Sequence, residues 1–324
     1  PMKAAVHRDY GPPEEVVYLE DIATPECGDD EVLVRVRAAG VNWADASMTI
    51  GKPHLMRLGY GLRSPRKGVR GMEVAGIVEF VGQNVTQHAP GDEVFGWPTA
   101  TFAEFTVVKE DQLIPMPSEA SFEQAAGIPV AGCVALQAVR DIAHTQPGHK
   151  VLVNGASGGI GSFTVQIAKG IGADVTGVCS TTNLEFVGSL GVDRVIDYTA
   201  EDFTLGSQRY DLIVDMADKH TLAQRRKVLT PKGTLIPNSG EGGPVLGSVG
   251  RIIKAWMLSP FVGYKLRPFL SMTTTADLTA LAGMTRDGAL RPIVGATYPL
   301  AEAGAAIAHA GSGHARGKVV VVVD

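Results

Sequence analysis

The chain has 324 residues, 45% of them hydrophobic and 19% charged, and a formal net charge of −5. That length predicts about two domains with ample core. The acidic balance gives no electrostatic case for nucleic acid, and no apolar run approaches the ~20 residues of a bilayer-spanning helix. Cys27, Cys133 and Cys179 lie far apart and form no metal or redox motif. Met2-Lys3-Ala4-Ala5-Val6 leads straight into strand-like sequence, so the expectation is a cytoplasmic protein with reduced thiols and no signal peptide.

Short alternating strands dominate the first part of the chain: Met2–His7, Val16–Asp21, Glu31–Ala38, Val74–Val81, Glu93–Phe95 and Ala103–Val108. Turns such as Pro90-Gly91-Asp92 separate them, a spacing that predicts a β-rich, barrel-like unit. Ala44–Ile50 reads as a helix that Asp45 caps, the alternative role for Asp45 being proton chemistry. The stretch 52–67 is basic and punctuated by glycine. It reads as a solvated loop, as a lid, or as an attractor for an anionic substrate such as an acyl thioester. Phe122–Ala126 opens a helical run that reaches about His144, where Pro147-Gly148 breaks the chain.

Val151-Leu152-Val153-Asn154 then ends a buried strand, Gly155–Gly161 makes a glycine-rich turn, and Ser162–Lys169 has helical periodicity. Strand, glycine turn and helix together present free backbone N–H groups to a dinucleotide pyrophosphate. Within the window Ala156, Ser157, Gly158, Gly159, Ile160, Gly161, two glycines fit the G-x-G-x-x-G pattern and Ala156 stands where the first belongs. Alone, the turn is equally a flexible connection. Further apolar strands at Asp174–Cys179, Arg194–Tyr198, Tyr210–Asp215 and Gly233–Pro237, with a helix at Asn183–Leu190, predict a doubly wound parallel α/β sheet. The apolar run Ile252–Phe261 reads as a pocket wall, a subunit contact or core. The tail gives a helix at Ala276–Arg286, a strand at Ile293–Tyr298, a helix at Leu300–Ala310 and a strand at Lys318–Val323.

An acid about 20 residues after the glycine turn would hold a ribose 2′-OH and favour NAD. The second strand ends instead in Cys179-Ser180-Thr181-Thr182, so a 2′-phosphate meets no repulsion there, and the Ser180 and Thr181 hydroxyls can donate to it. That favours NADPH over NADH.

Six segments carry a family likeness in order along nearly the whole chain: Ala39–Asp45, Gly71–Gly76, Pro90–Val94, Asn154–Gly161, Val195–Tyr198 and His314–Val319. Together they make the chain resemble a zinc-free medium-chain dehydrogenase/reductase of the quinone oxidoreductase-like group. The resemblance implies a GroES-like β-rich catalytic domain over 1–126, a Rossmann domain over 127–267, a return to the catalytic domain over 268–324, a cleft between them and a homodimer. It places Tyr198 near the adenosine end of the cofactor, with Arg316 or Lys318 as the missing positive charge, or else as ordinary solvated residues. No zinc is expected. Val41-Asn42-Trp43 has no Cys, Gly71-Met72-Glu73 lacks the His-Glu pair, and the eight histidines are scattered. Relatives tend to carry a Thr near Cys133-Val134, so one polar cofactor contact is expected to be lost there.

Without a metal, polarising the acceptor falls to hydrogen-bond donors. Asn42 is the leading candidate, its amide donating to a developing enolate or hydroquinone oxygen; the alternative is a turn-capping Asn. The expected activity is reduction of a quinone or α,β-unsaturated carbonyl. Reduction of simple aldehydes or ketones, and a non-catalytic NADPH-binding protein, are the competing readings.

Overall fold

Runs of Val, Ile and Ala build the two larger sheets of this computed structural model, beside a third sheet of two strands. It describes residues 1–66, 68–217, 219–237, 253 and 255–324. The chain divides into two compact units, one formed by Pro1–Cys133 with Met272–Asp324 and the other by Val134–Ser271. The divisions follow Cys133 and Ser271 rather than residues 126 and 267, so most of the first turns of the Pro129–Leu136 helix belong to the N-terminal unit.

In the first unit, β1 (Met2–His7) pairs with β2 (Val17–Ile22) as a two-stranded sheet. β3 (Glu31–Val41) leads into helix α1 (Trp43–Ile50). Then come β4 (Val74–Val81), β5 (Glu93–Gly96), β6 (Phe105–Lys109) and β7 (Leu113–Pro115). Burial alternates along the start of β3 and becomes continuous from Ala38 to Val41, where both faces of the strand are covered.

The second unit opens with β8 (Lys150–Asn154), helix α2 (Gly159–Ile171), β9 (Asp174–Cys179) and β10 (Arg194–Asp197). It continues with β11 (Tyr210–Asp215), β12 (Leu229–Pro237) and β13 (Lys265–Leu266). Every pairing is parallel, in the order β10-β9-β8-β11-β12-β13. This is the doubly wound α/β arrangement whose chain order reverses between β8 and β11, where ligands bind beyond the carboxyl ends of the strands. The expected strand at 233–237 begins earlier, at Leu229, and the one at 194–198 stops at Asp197.

The chain returns to the first unit with helix α3 (Thr275–Arg286), β14 (Val294–Pro299), helix α4 (Ala303–Gly311) and β15 (Lys318–Val322). The larger sheet there runs β14-β15-β3-β4-β5-β7, and β6 pairs with β3. β15 therefore lies beside β3, and β3 beside β4. This adjacency brings the end of β3, the residue before β4 and the start of β15 together.

Candidate active site

The glycine turn is built as its sequence requires, and the structure accounts for its one irregularity. Gly155 has φ +87°, in the left-handed region. A methyl on Gly161 would collide with the Gly155 carbonyl oxygen and stand 2.9 Å from Ala156 Cα, so helix and strand approach there as only glycine permits. Ala156 is fully buried, its methyl directed toward Gly177 of β9. A methyl on Gly177 would lie 3.1 Å from Ala156 Cβ and 2.7 Å from Val187 Cγ1. The room for an alanine in the turn thus comes from the missing side chain on β9. Ala156 N–H is taken by the Val178 carbonyl (3.0 Å) and Gly158 N–H by that of Gly155 (3.2 Å). Gly158 caps α2 without a side-chain bond, and the first amide to find an acceptor in the helix is that of Ser162, on Gly158. The N–H groups of Gly159, Ile160 and Gly161 therefore remain for an anionic ligand, as the first turn of any helix leaves them. The cradle fits a dinucleotide pyrophosphate.

A polar cluster gathers past the ends of β9 and β10. Ser180 Oγ accepts from Asn183 Nδ2 (3.1 Å) and lies 3.1 Å from Thr182 Oγ1. Thr181 Oγ1 donates to Asp197 Oδ2 (2.6 Å) and is 3.0 Å from Thr199 Oγ1. The Thr181 and Thr199 hydroxyls hold the partly buried Asp197 carboxyl below its ordinary range. An acid thus does stand beside Thr181. It arrives from the neighbouring strand β10; the end of β9 carries no acid, as its sequence reads, but the expectation that a 2′-phosphate meets no negative charge there is corrected. Lys219, after β11, sets Nζ 4.3 Å from the centre of the half-exposed Tyr198 ring. Sequence reasoning missed Lys219, although its position just after a central parallel strand was a usable signal.

Beneath the cradle, Asp215 is fully buried, its Oδ2 2.7 Å from Arg225 Nη1. Its Oδ1 accepts from Asn154 Nδ2 (2.9 Å) and Ala217 N–H (3.1 Å). Asn154 and Asp215 are register partners at the carboxyl ends of β8 and β11, so this group pins the two strands where the order reverses.

The candidate residues of the first unit meet in a second cluster. Asn42 precedes α1, which Gly51 ends at φ +72°. Asp45 Oδ2 accepts the Asn42 N–H (2.8 Å), so Asp45 does cap the helix, from its third position, and its Oδ1 accepts Gly71 N–H (3.2 Å). Asn42 Nδ2 donates to Glu73 Oε1 (2.6 Å), while Lys318 Nζ donates to Asn42 Oδ1 (2.7 Å) and Glu73 Oε1 (3.0 Å). Glu73 Oε2 has no partner among the described residues and packs where a methyl on Gly40 would collide with it. Lys318 is a correction. It is neither a solvated strand-flanking charge nor available to a 2′-phosphate, because its side chain is 4% exposed and committed to Glu73 and Asn42. Arg316 is exposed at the surface of the same unit.

Next to this cluster lies a second buried cation. Arg70 Nε donates to His7 Nε2 (2.7 Å), which makes that nitrogen an acceptor and leaves the proton on Nδ1, 3.3 Å from the Asp9 carbonyl oxygen. Burial, with Arg70 second, lowers His7 from 6.5 to about 4. Burial raises Asp45 from 3.8 to about 6; Asn42 N–H and Lys318 oppose the rise and Glu73 adds to it. Their effects on stability have opposite signs. Asp45, raised on folding, contributes most at low pH and loses that contribution as pH rises through about 6. His7, lowered on folding, contributes most above 6.5 and loses it as pH falls toward about 4. Each is of the order of ~3 kcal/mol, so across that window they nearly cancel. Urea denaturation at a series of pH values is expected to show stability falling with rising pH in His7→Gln and rising with pH in Asp45→Asn. Parallel profiles in the two variants would contradict these assignments.

Other expectations resolve more simply. Burial pushes the Cys133 thiol up to about 12 and that of Cys179 up to about 11, which makes both poor nucleophiles. Val134 beside Cys133 is buried and supplies no polar contact. In the basic loop, Arg57 stacks 4.4 Å from the Tyr10 ring centre and donates to the Gly51 carbonyl (2.9 Å), and Lys67 lies outside the described residues. Of the apolar run, Ile252 and Lys254 lie outside the described residues, Ala255 is buried, and Trp256 and Phe261 are 54% and 86% exposed.

Comparison with known proteins agrees with both halves. Residues 28–118 match the alcohol dehydrogenase GroES-like domain and residues 190–321 match the zinc-binding dehydrogenase family. The chain is 31% identical to an NADPH-dependent alkenal/one oxidoreductase of Arabidopsis thaliana, over 99% of this chain and 79% of that one. It is 29% identical to a quinone-oxidoreductase homolog of Spinacia oleracea, over 99% and 98%. Its fold matches that of the quinone oxidoreductase from Coxiella burnetii with a TM-score of 0.86 at 29% identity, over 100% and 99% of the two chains. The zinc in the second family description finds no fitting donor set among the described residues. Among the described residues no three His, Cys, Asp or Glu side chains gather to hold a metal, and Asn42 and Glu73 already surround the Lys318 ammonium.

Proposed function

The chain belongs to the medium-chain dehydrogenase/reductase family, in its quinone oxidoreductase-like group, and on that premise we propose that it reduces a quinone or an α,β-unsaturated carbonyl with NADPH. It is an NAD(P)H-dependent oxidoreductase by kinship. The observation that carries the substrate class is Asn42, an amide donor set beside a buried cation. Such a group suits an acceptor whose conjugation already spreads developing negative charge onto oxygen.

When bound, the dihydronicotinamide supplies the hydride. The protein's part is to bind and to orient. Gly159, Ile160 and Gly161 offer N–H groups to the pyrophosphate, and Ser157 borders the same turn. Ser180, Thr181, Tyr198 and Lys219 are assigned to the adenosine end, with Lys219 in the role first given to Arg316 or Lys318. Asn42 is assigned to the acceptor oxygen. No side chain is needed as an obligatory acid, since water can protonate the product.

Titration of nucleotide fluorescence tests the cofactor assignment. NADPH is expected to bind more tightly than NADH, and Lys219→Ala to weaken NADPH by about tenfold or more while sparing NADH, as the loss of one charge-assisted contact implies. Equal losses for both nucleotides would remove Lys219 from the phosphate. NADPH oxidation with p-benzoquinone, a 2-alkenal and a simple aldehyde tests the acceptor; turnover of the simple aldehyde alone would overturn the assignment. Cytoplasmic residence and a homodimer belong to the same proposal. The exposed Trp256 and Phe261 support a subunit contact.

A further inference from the structure

We propose that Glu73 and Lys318 are positioning residues that clamp the Asn42 amide in one orientation, with its second Nδ2 hydrogen facing outward as the donor to substrate. The inference rests on the reading of Asn42 given above and extends it to two residues that touch no reactant.

The chemistry of the partners fixes the geometry. An amide has an acceptor end and a donor end of nearly equal shape, so a solvated Asn turns over freely. Here neither end has a choice. An ammonium only donates, so Lys318, at 2.7 Å, demands the oxygen. An ionised carboxylate only accepts, so Glu73, at 2.6 Å, demands the nitrogen. Turning the amide over would set Nδ2 against the ammonium and Oδ1 against the carboxylate. Both bonds are charge-assisted, which makes them about twice as strong as neutral ones.

The clamp is itself held. Lys318 Nζ lies 3.0 Å from the same Glu73 oxygen that Asn42 uses, closing a three-membered ring of contacts. Glu73 and Lys318 are almost wholly buried, with side chains 0% and 4% exposed, so water does not compete for them. The Asn42 backbone is fixed separately by Asp45. Asn42 is only partly buried, and one Nδ2 hydrogen remains beyond the one given to Glu73. The result is a donor oriented before the substrate arrives, the condition under which such a group stabilises a developing oxyanion.

A plain structural role is the competing account, since the three residues sit on or beside the neighbouring strands β15, β3 and β4. A double-mutant cycle separates the two, with NADPH and a 2-alkenal as the probe reaction. Lys318→Met is expected to lower kcat by about tenfold to a hundredfold, as misplacement of a reacting group does, with KM for NADPH unchanged. In the Asn42→Ala background it is expected to cause no further loss of kcat. The charge-free pair Glu73→Gln with Lys318→Met, which leaves no unpaired charge to unfold the protein, is expected to behave in the same way. Equal losses of kcat in both backgrounds, or no loss in either while Asn42→Ala is impaired, would overturn the clamp. Full kcat in Asn42→Ala itself would instead overturn the assignment of Asn42, and the clamp with it.

Discussion

Gly161→Ala is expected to weaken NADPH binding by about a hundredfold or more. The added methyl would meet the Gly155 carbonyl oxygen and Ala156 Cα. Both are backbone atoms, so no side-chain rotation relieves the collision, and the start of α2 must move away from the turn. That displaces the N–H groups of Gly159, Ile160 and Gly161 together. Losing two charge-assisted bonds at ~1.5–3 kcal/mol each accounts for the size of the effect. Gly170→Ala is the matched control: it lies in the same helix and a methyl there meets nothing within 4 Å. It is expected to leave affinity unchanged and to add about 0.5–1 kcal/mol of stability. Fluorescence titration measures the affinities, and equal affinity in the two variants would show that the close approach is dispensable.

Glu73→Ala carries the largest expected loss of stability, about 3–5 kcal/mol. It leaves the Lys318 ammonium buried with the Glu73 carboxylate gone, and takes away the acceptor of Asn42 Nδ2. Removing both charges together, in Glu73→Gln with Lys318→Met, is expected to cost much less, because burying an ion pair gains little over a neutral pair of similar volume. Denaturant midpoints compare the two directly. A double variant as unstable as the single one would mean that packing around these side chains, rather than the unpaired charge, sets the cost.

What could be read from sequence divides along a physical line. Strands such as Val74–Val81, Asp174–Cys179 and Tyr210–Asp215 were legible to the residue because alternation, or an unbroken apolar run between turns, is a local signal. The glycine turn was legible for the same reason, its irregular Ala156 included. The surroundings of the site were not. Lys318 looked like a solvated charge at the head of a strand, since the carboxylate that buries it lies 245 residues away in the chain. Asp197 escaped notice because strand adjacency, not sequence spacing, sets it beside Thr181. Lys219 was passed over because its aromatic partner, Tyr198, sits on the far side of an intervening strand and loop. In each case the residue type was plain and its neighbour was not.

The alanine in the glycine turn has a consequence for how this chain can vary. Ala156 and Gly177 share one methyl's worth of space between a turn and the strand next to it. Drift at either position is therefore not independent: a larger residue on β9 presses the turn toward the nucleotide, while a glycine at 156 frees volume that Val187 or position 177 is placed to fill. The two sites form a single unit of inheritance within the cofactor cradle, although 20 residues of intervening helix and strand conceal the link.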